Sequence, residues 1–293
     1  MDLFPLIPLT AALVYTVGTL FVKQSSSHGI GPWRTTFVAN VVNGVLAVPF
    51  WFIGPSFESW GELIFPVVVS LMFFGGQLLT CLAIHKGDVS VFTPLMGIKT
   101  VFVGILAIWV VGEQSSMAIW VAVFLSAVAI FLLRGKGHAE RERLLPSIVF
   151  GVGSAFCFAV YDTLMQRFGG DMGFERMVSA TFSFNALWSL ALIPLFKAPV
   201  SRIEFGMWKG LVVGSALLAV QSIGMAIALS RYGRVTEANI FYSSRGIWSV
   251  ALVFLMGHWF GNSEASAGKK VMATRLLGAF VLAGAIFIAV VFQ

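Results

Sequence analysis

"TPLMGIKTVFVG", Thr93 to Gly104, lies within an apolar stretch from Val89 to Val111. About 20 apolar residues cross a bilayer as a helix, so this stretch is long enough to span one. Lys99 stands at its centre. A lysine there costs roughly 2.5–3.5 kcal/mol on insertion scales. Something must offset that cost, and looking for it shows how the chain is organised.

Shifting the sequence against itself brings Lys99 opposite Arg245, 146 residues later. Other matches follow in chain order. GTLFVK (Gly18–Lys23) faces DTLMQR (Asp162–Arg167), and Phe37, Asn40 and Pro49 face Phe182, Asn185 and Pro194. Ser70 and Gln77 face Ser215 and Gln221, and Gly87 and Val89 face Gly233 and Val235. The offset stays between 144 and 146 until the last segment, where AIF at 129–131 faces AIF at 285–287, and the loop GNSEASAGKKVMAT supplies the extra residues. Matches between apolar residues arise by chance. Matched Asn, Pro, Gln and cation positions predict a true internal duplication.

The composition fixes the class. The chain is 58% hydrophobic and 11% charged, where a typical soluble domain is about 25% charged. Ten apolar segments are expected to span a membrane, at roughly 4–23, 33–53, 63–84, 89–111, 116–134, 145–167, 175–196, 207–230, 236–258 and 273–292. Helix is the spanning form to expect, because the backbone must be satisfied within each segment. The first segment has no basic run before it and reads as a retained span, not a signal peptide. The fold class is therefore all-α integral membrane, with ten transmembrane helices as an inverted five-plus-five repeat. The expected units are a first repeat at 1–134, a basic connecting loop at 135–144 and a second repeat at 145–293. Five spans per unit is an odd number, so the second copy enters from the opposite side. Such repeats recur in secondary transporters, with the substrate site near the midplane.

This layout resembles the drug/metabolite transporter superfamily, and its EamA-like members in particular. The features that carry the resemblance are AIHKGDVSVFTPLMGIK, the following Gly112-Glu113, and the counterpart ALSRYGRVTEANIFYSSRG in the second half. The resemblance implies a central cavity lined by several spans of each half, including the fourth and ninth. Relatives carry amino acids, sugars, nucleotide sugars, sugar phosphates or drugs, so it speaks for the fold more than for the substrate.

The polar residues inside the spans are the candidate site. Pro94 and Gly97 before Lys99, and Ser243, Ser244 and Gly246 around Arg245, predict irregular helix at both cations. Helical spacing puts Tyr242, Trp248 and Ser249 on the face of Arg245. A guanidinium grips a carboxylate or phosphate as a fork, and an ammonium acts as a point charge. Lys99 and Arg245 are thus candidates to attract an anionic group; the alternative is that they pair with acids inside the bundle. Asp162 reads as a counter-ion for one of them or as a proton-coupling group. Asn40, Asn43 and Asn185, with Ser189 one turn on, serve either packing or substrate contact, as do Gln77 and Gln221. Tyr15 and Tyr161 could cap a cavity. Glu237 suits a helix start, His85 and His258 lie near span ends, and Gly210 and Gly214 suit close helix packing.

Signatures of HExxH, GxSxG and P-loop type are absent. No enzyme activity, cofactor, metal or catalytic residue is expected. The basic balance (+6) does not gather into a nucleic-acid-binding run, so the expected partners are the lipid bilayer and a small-molecule substrate, with the oligomeric state unread. Lys and Arg number 13 in the loops after the odd-numbered spans and 4 in the other loops and the termini. The positive-inside rule then puts both termini of this multi-pass inner-membrane chain outside the cytoplasm. A secondary transporter of a small polar or anionic metabolite, working by alternating access, is the leading expectation. The alternatives are a non-transporting sensor or assembly partner, whose buried cations would be fully paired, and a lipid flippase.

Overall fold

The structure is a computed structural model that describes residues 4–26, 29–54, 59–86, 95–114, 116–133, 141–256 and 269–291. Among these residues all regular structure is helical. In chain order the helices are α1 (Leu6–Ser26), α2 (Pro32–Ala47), α3 (Phe50–Ile53), α4 (Ile64–Lys86), α5 (Ile98–Leu106), α6 (Met117–Leu133), α7 (Arg141–Met172), α8 (Phe174–Trp188), α9 (Phe205–Tyr232), α10 (Val235–Tyr242), α11 (Arg245–Met256) and α12 (Lys269–Val291). Short 3-10 or π segments extend α4, α5 and α8.

Among the described residues five stretches are long and apolar enough to cross a membrane: Pro32–Ile53, Trp60–Ala83, Leu145–Met172, Phe174–Leu195 and Phe205–Tyr232. Four shorter apolar helices accompany them, at Leu6–Val22, Ile98–Val111, Met117–Ala129 and Leu277–Ala289. Large side chains such as Phe52, Trp60 and Trp109 are more than 80% exposed. Apolar surface of that extent suits lipid rather than water.

Among the described residues most helix limits lie within a few residues of the expected ones; α5 begins at Ile98 where 89 was expected, with 87–94 outside the described residues, and α7 differs at both ends. That helix begins at Arg141, inside the connecting loop expected at 135–144. Its leading Arg-Glu-Arg run consists of good helix formers, so the helix continues beyond the apolar segment. At the other end it runs past 167 to Met172, which sets Asp162 ten residues inside it. The two prolines matched by the repeat also act alike. α2 stops at Val48–Pro49, and α8 tightens into a 3-10 segment, Ser189–Leu195, that contains Pro194. Proline removes one helical hydrogen bond and crowds the preceding turn. The turns before α2 and α8 share a further device, since Gly31 (φ 80°) and Gly173 (φ 87°) hold backbone angles that a Cβ disfavours.

The packing is arranged in matching pairs. α1 lies along α9, and α4 lies along α7. The repeat offset turns α1 into α7 and α4 into α9, so these two contacts exchange. α6 packs on α12 and α2 on α8, and each of these contacts maps onto itself. Small residues allow the closest crossings, as is usual between membrane helices. A Cβ on Gly214 would sit 3.0 Å from the carbonyl oxygen of Gly18 and 2.8 Å from a methyl of Val22. Gly214 thus serves packing inside the bundle. In the interior, Phe73 meets the rings of Phe158, Tyr161 and Phe182 at centroid separations of 5.7, 4.7 and 5.7 Å.

Gly214→Val should push α1 from α9 and lower the thermal unfolding temperature in detergent, with a cost of roughly 1–3 kcal/mol, the usual range for overpacking. Gly224→Ala, where a Cβ meets nothing within 4 Å, should leave that temperature almost unchanged.

Candidate functional site

Both buried cations follow a local tightening of the helix. Met96–Gly97 form a turn before α5, and Ser243–Ser244 form one between α10 and α11. Pro94 lies outside the described residues. Neither turn unwinds the chain. Gly97 and Ser243 keep helical dihedral angles. The Lys99 amide donates to the Met96 carbonyl at 3.2 Å, and the Gly246 amide donates to the Ser243 carbonyl at 3.0 Å. The backbone donors are thus occupied, and the side chains are left to meet a ligand.

Lys99 Nζ lies 2.7 Å from Asp162 Oδ2, with only 11% and 4% of the two side chains exposed. It also stands 6.0 Å from the centre of the Phe158 ring and 5.9 Å from that of Tyr242. The Arg245 guanidinium lies over the same Tyr242 ring at 4.8 Å and over Tyr15 at 5.3 Å. The two tyrosine rings meet edge to face at 6.0 Å. Tyr242 is held by its hydroxyl, which donates to Gln221 Oε1 at 2.6 Å. One tyrosine therefore serves both cations, and desolvated cation–π contacts of this kind reach about 2 kcal/mol. Among the described residues no carboxylate forms an ion pair with Arg245.

The other candidates fall into distinct places. Asn43 donates to Ser222 Oγ at 2.9 Å, which ties α2 to α9 beside Gln221. Asn40 and Asn185 are buried on α2 and α8, and neither amide has a hydrogen-bond partner among the described residues. Gln77 Oε1 on α4 and the Tyr161 hydroxyl are also buried and unpartnered. An unmet buried polar group costs about 1–3 kcal/mol. The Ser189 hydroxyl donates to the Ala186 carbonyl. Glu237 sits in the first turn of α10, 3.8 Å from Arg234. The His85 and Ser249 side chains and all of His258 lie outside the described residues.

Trp248 is 37% exposed, and among the described residues the rings in cation–π range of Arg245 are those of Tyr242 and Tyr15. Side chains tilt toward the N-terminus of their helix, so Arg245 reaches back to Tyr242 and Tyr15 of α1 covers its other side. Two contacts were beyond sequence reasoning. The Gln166 amide donates to the Gly233 carbonyl and accepts from the Val235 amide, at 2.8 and 2.6 Å, which fixes the start of α10. Glu113, just beyond the apolar stretch that ends at Val111, accepts from the Thr236 hydroxyl at 3.1 Å. Burial pushes its carboxyl above the ordinary range, and the hydrogen bonds from Thr236 offset this only in part.

Residues 5–135 match the EamA-like transporter family. The first part of the chain is thus similar to an EamA-like transporter unit. A solved structure described only as the crystal structure of a protein has a TM-score of 0.79 to it, at 16% identity over 98% of this chain and 96% of its own. At that identity the likeness speaks for the fold alone. A comparison with curated proteins gives no match. The family is one of membrane transporters, and the apolar helices fit a multi-pass membrane protein of this kind.

In this chain the buried ion pair should behave as a unit. Removing one member of a buried pair costs about 3–5 kcal/mol, while replacing both with apolar residues is often neutral. Lys99→Met or Asp162→Leu alone should therefore lower thermal stability sharply, and the double variant should recover most of the loss. Additive losses in a double-mutant cycle would show that the two side chains are not coupled.

Proposed function

We propose that the chain is a secondary transporter that carries a small anionic metabolite by alternating access. Its units would be two inverted five-helix repeats at 1–134 and 145–293. Arg245 and Lys99 would hold the anion, Asp162 would act as the resident counter-ion, and Tyr242 with Gln221 would shape the pocket. Asn40, Asn43, Asn185 and Gln77 would meet the polar body of the substrate. The positive-inside count supports an inner-membrane chain with both termini outside the cytoplasm.

One observation carries this reading: Arg245 is held between two tyrosines with no carboxylate partner among the described residues. A sensor or assembly partner has no use for an unneutralised cation in its interior. A carrier does, because the anion it transports completes the site. The matched helix contacts support alternating access, since two like halves can exchange roles at similar energy.

The test is a panel of carboxylates and phosphate esters against the purified protein, read by thermal stabilisation. A ligand that binds only the native state stabilises it by about 2.7 kcal/mol at one hundred times its Kd. At least one anion should raise the unfolding temperature, and Arg245→Ala should abolish the shift. Stabilisation that survives Lys99→Ala and Arg245→Ala combined would overturn the assignment of the site.

A further inference from the structure

The two halves differ at one decisive position. The repeat that matches Lys99 with Arg245 also matches Asp162 with Gly18. In the second half that position bears the carboxylate that neutralises Lys99 at 2.7 Å. In the first half it bears a glycine, whose added Cβ would lie 3.1 Å from both the Gly214 carbonyl oxygen and the Leu217 Cβ. The acid that would pair with Arg245 is thus replaced by the residue that lets α1 and α9 touch. Other acids are engaged elsewhere: Glu113 with Thr236 and Glu237 with Arg234. Among the described residues the cluster therefore holds two cations and one carboxylate, a formal charge of plus one.

We propose that this odd charge sets the specificity of the site, so that it takes ligands of one negative charge and rejects those of two. The proposal rests on the anion reading above and adds the charge class of the cargo. A net charge moved from water into a low-dielectric interior costs several kcal/mol even after relaxation. A monoanion brings the occupied cluster to zero, whereas a dianion leaves it at minus one. A neutral analogue leaves the bare cation unanswered. Asp162 is the specificity-determining residue, because it cancels one of the two cations before the ligand arrives. The guanidinium fork suits a planar carboxylate.

The experiment uses the purified full-length protein and two sets of nearly isosteric probes at pH 7.5: succinamide, succinamate and succinate, and terephthalamide, terephthalamate and terephthalate. Their charges are zero, minus one and minus two. Affinity is read from ligand-dependent thermal stabilisation. The wild type should bind a monoanion at least tenfold more tightly than its dianion or neutral analogue. Asp162→Asn raises the cluster to plus two and should reverse the preference to the dianion. Asp162→Glu should keep the wild-type order. Should Asp162→Asn fail to fold, Lys99→Gln with Asp162→Asn restores plus one and should again favour the monoanion, though more weakly. A dianion preference in the wild type, or a monoanion preference unchanged in Asp162→Asn, overturns the charge rule. Should no probe of either set stabilise the wild type, the anion reading beneath it falls instead.

Discussion

A charge inside a bilayer needs a partner, an opposite charge or a polarisable ring, and this bundle is organised around that requirement. Lys99 belongs to the first half and its carboxylate, Asp162, to the second. Arg245 belongs to the second half and leans on Tyr15 of the first. Each cation is therefore held by a helix of the opposite half. α5 is drawn to α7 and α11 to α1, and both contacts occur. Tyr242 lies where the two arrangements meet, within cation–π range of both charges.

The energetic balance of such a site is close. A buried pair gains Coulomb energy roughly equal to what its desolvation costs, so it adds little net stability while fixing which helices meet. That balance suits a molecule that must change its contacts. A ligand shifts an equilibrium between two conformations only by its differential affinity for them. An anion that bridges Arg245 and competes with Asp162 for Lys99 has such a differential. The unpartnered amides of Asn40 and Asn185, equivalent in the two halves and both buried, give the same interior a further polar surface.

Much of the arrangement was legible in the residues. The offset of 144 to 146 matched Lys99 with Arg245, and Gly214 could be read as a close-packing residue, though which helices pair could not. Asp162 could be assigned as a counter-ion because it is an acid well inside an apolar segment. Three things were not legible. The tilt of side chains toward the helix start brings Arg245 back to Tyr242, a preference that spacing alone does not show. The choice of Lys99 rather than Arg245 as the partner of Asp162 depends on how α5 packs against α7, which no periodicity records. The Gln166 clamp and the Glu113–Thr236 contact join segments about 70 and 120 residues apart through single polar side chains, and such pairs leave no pattern in the chain.

The measurement that bears most directly on the central claim is charge displacement on solid-supported membranes carrying the reconstituted protein. Rapid addition of succinamate should move negative charge into the membrane in the wild type, with a transient that saturates as the site fills, and Arg245→Gln should remove it. A transient of the same size in Arg245→Gln would contradict the account.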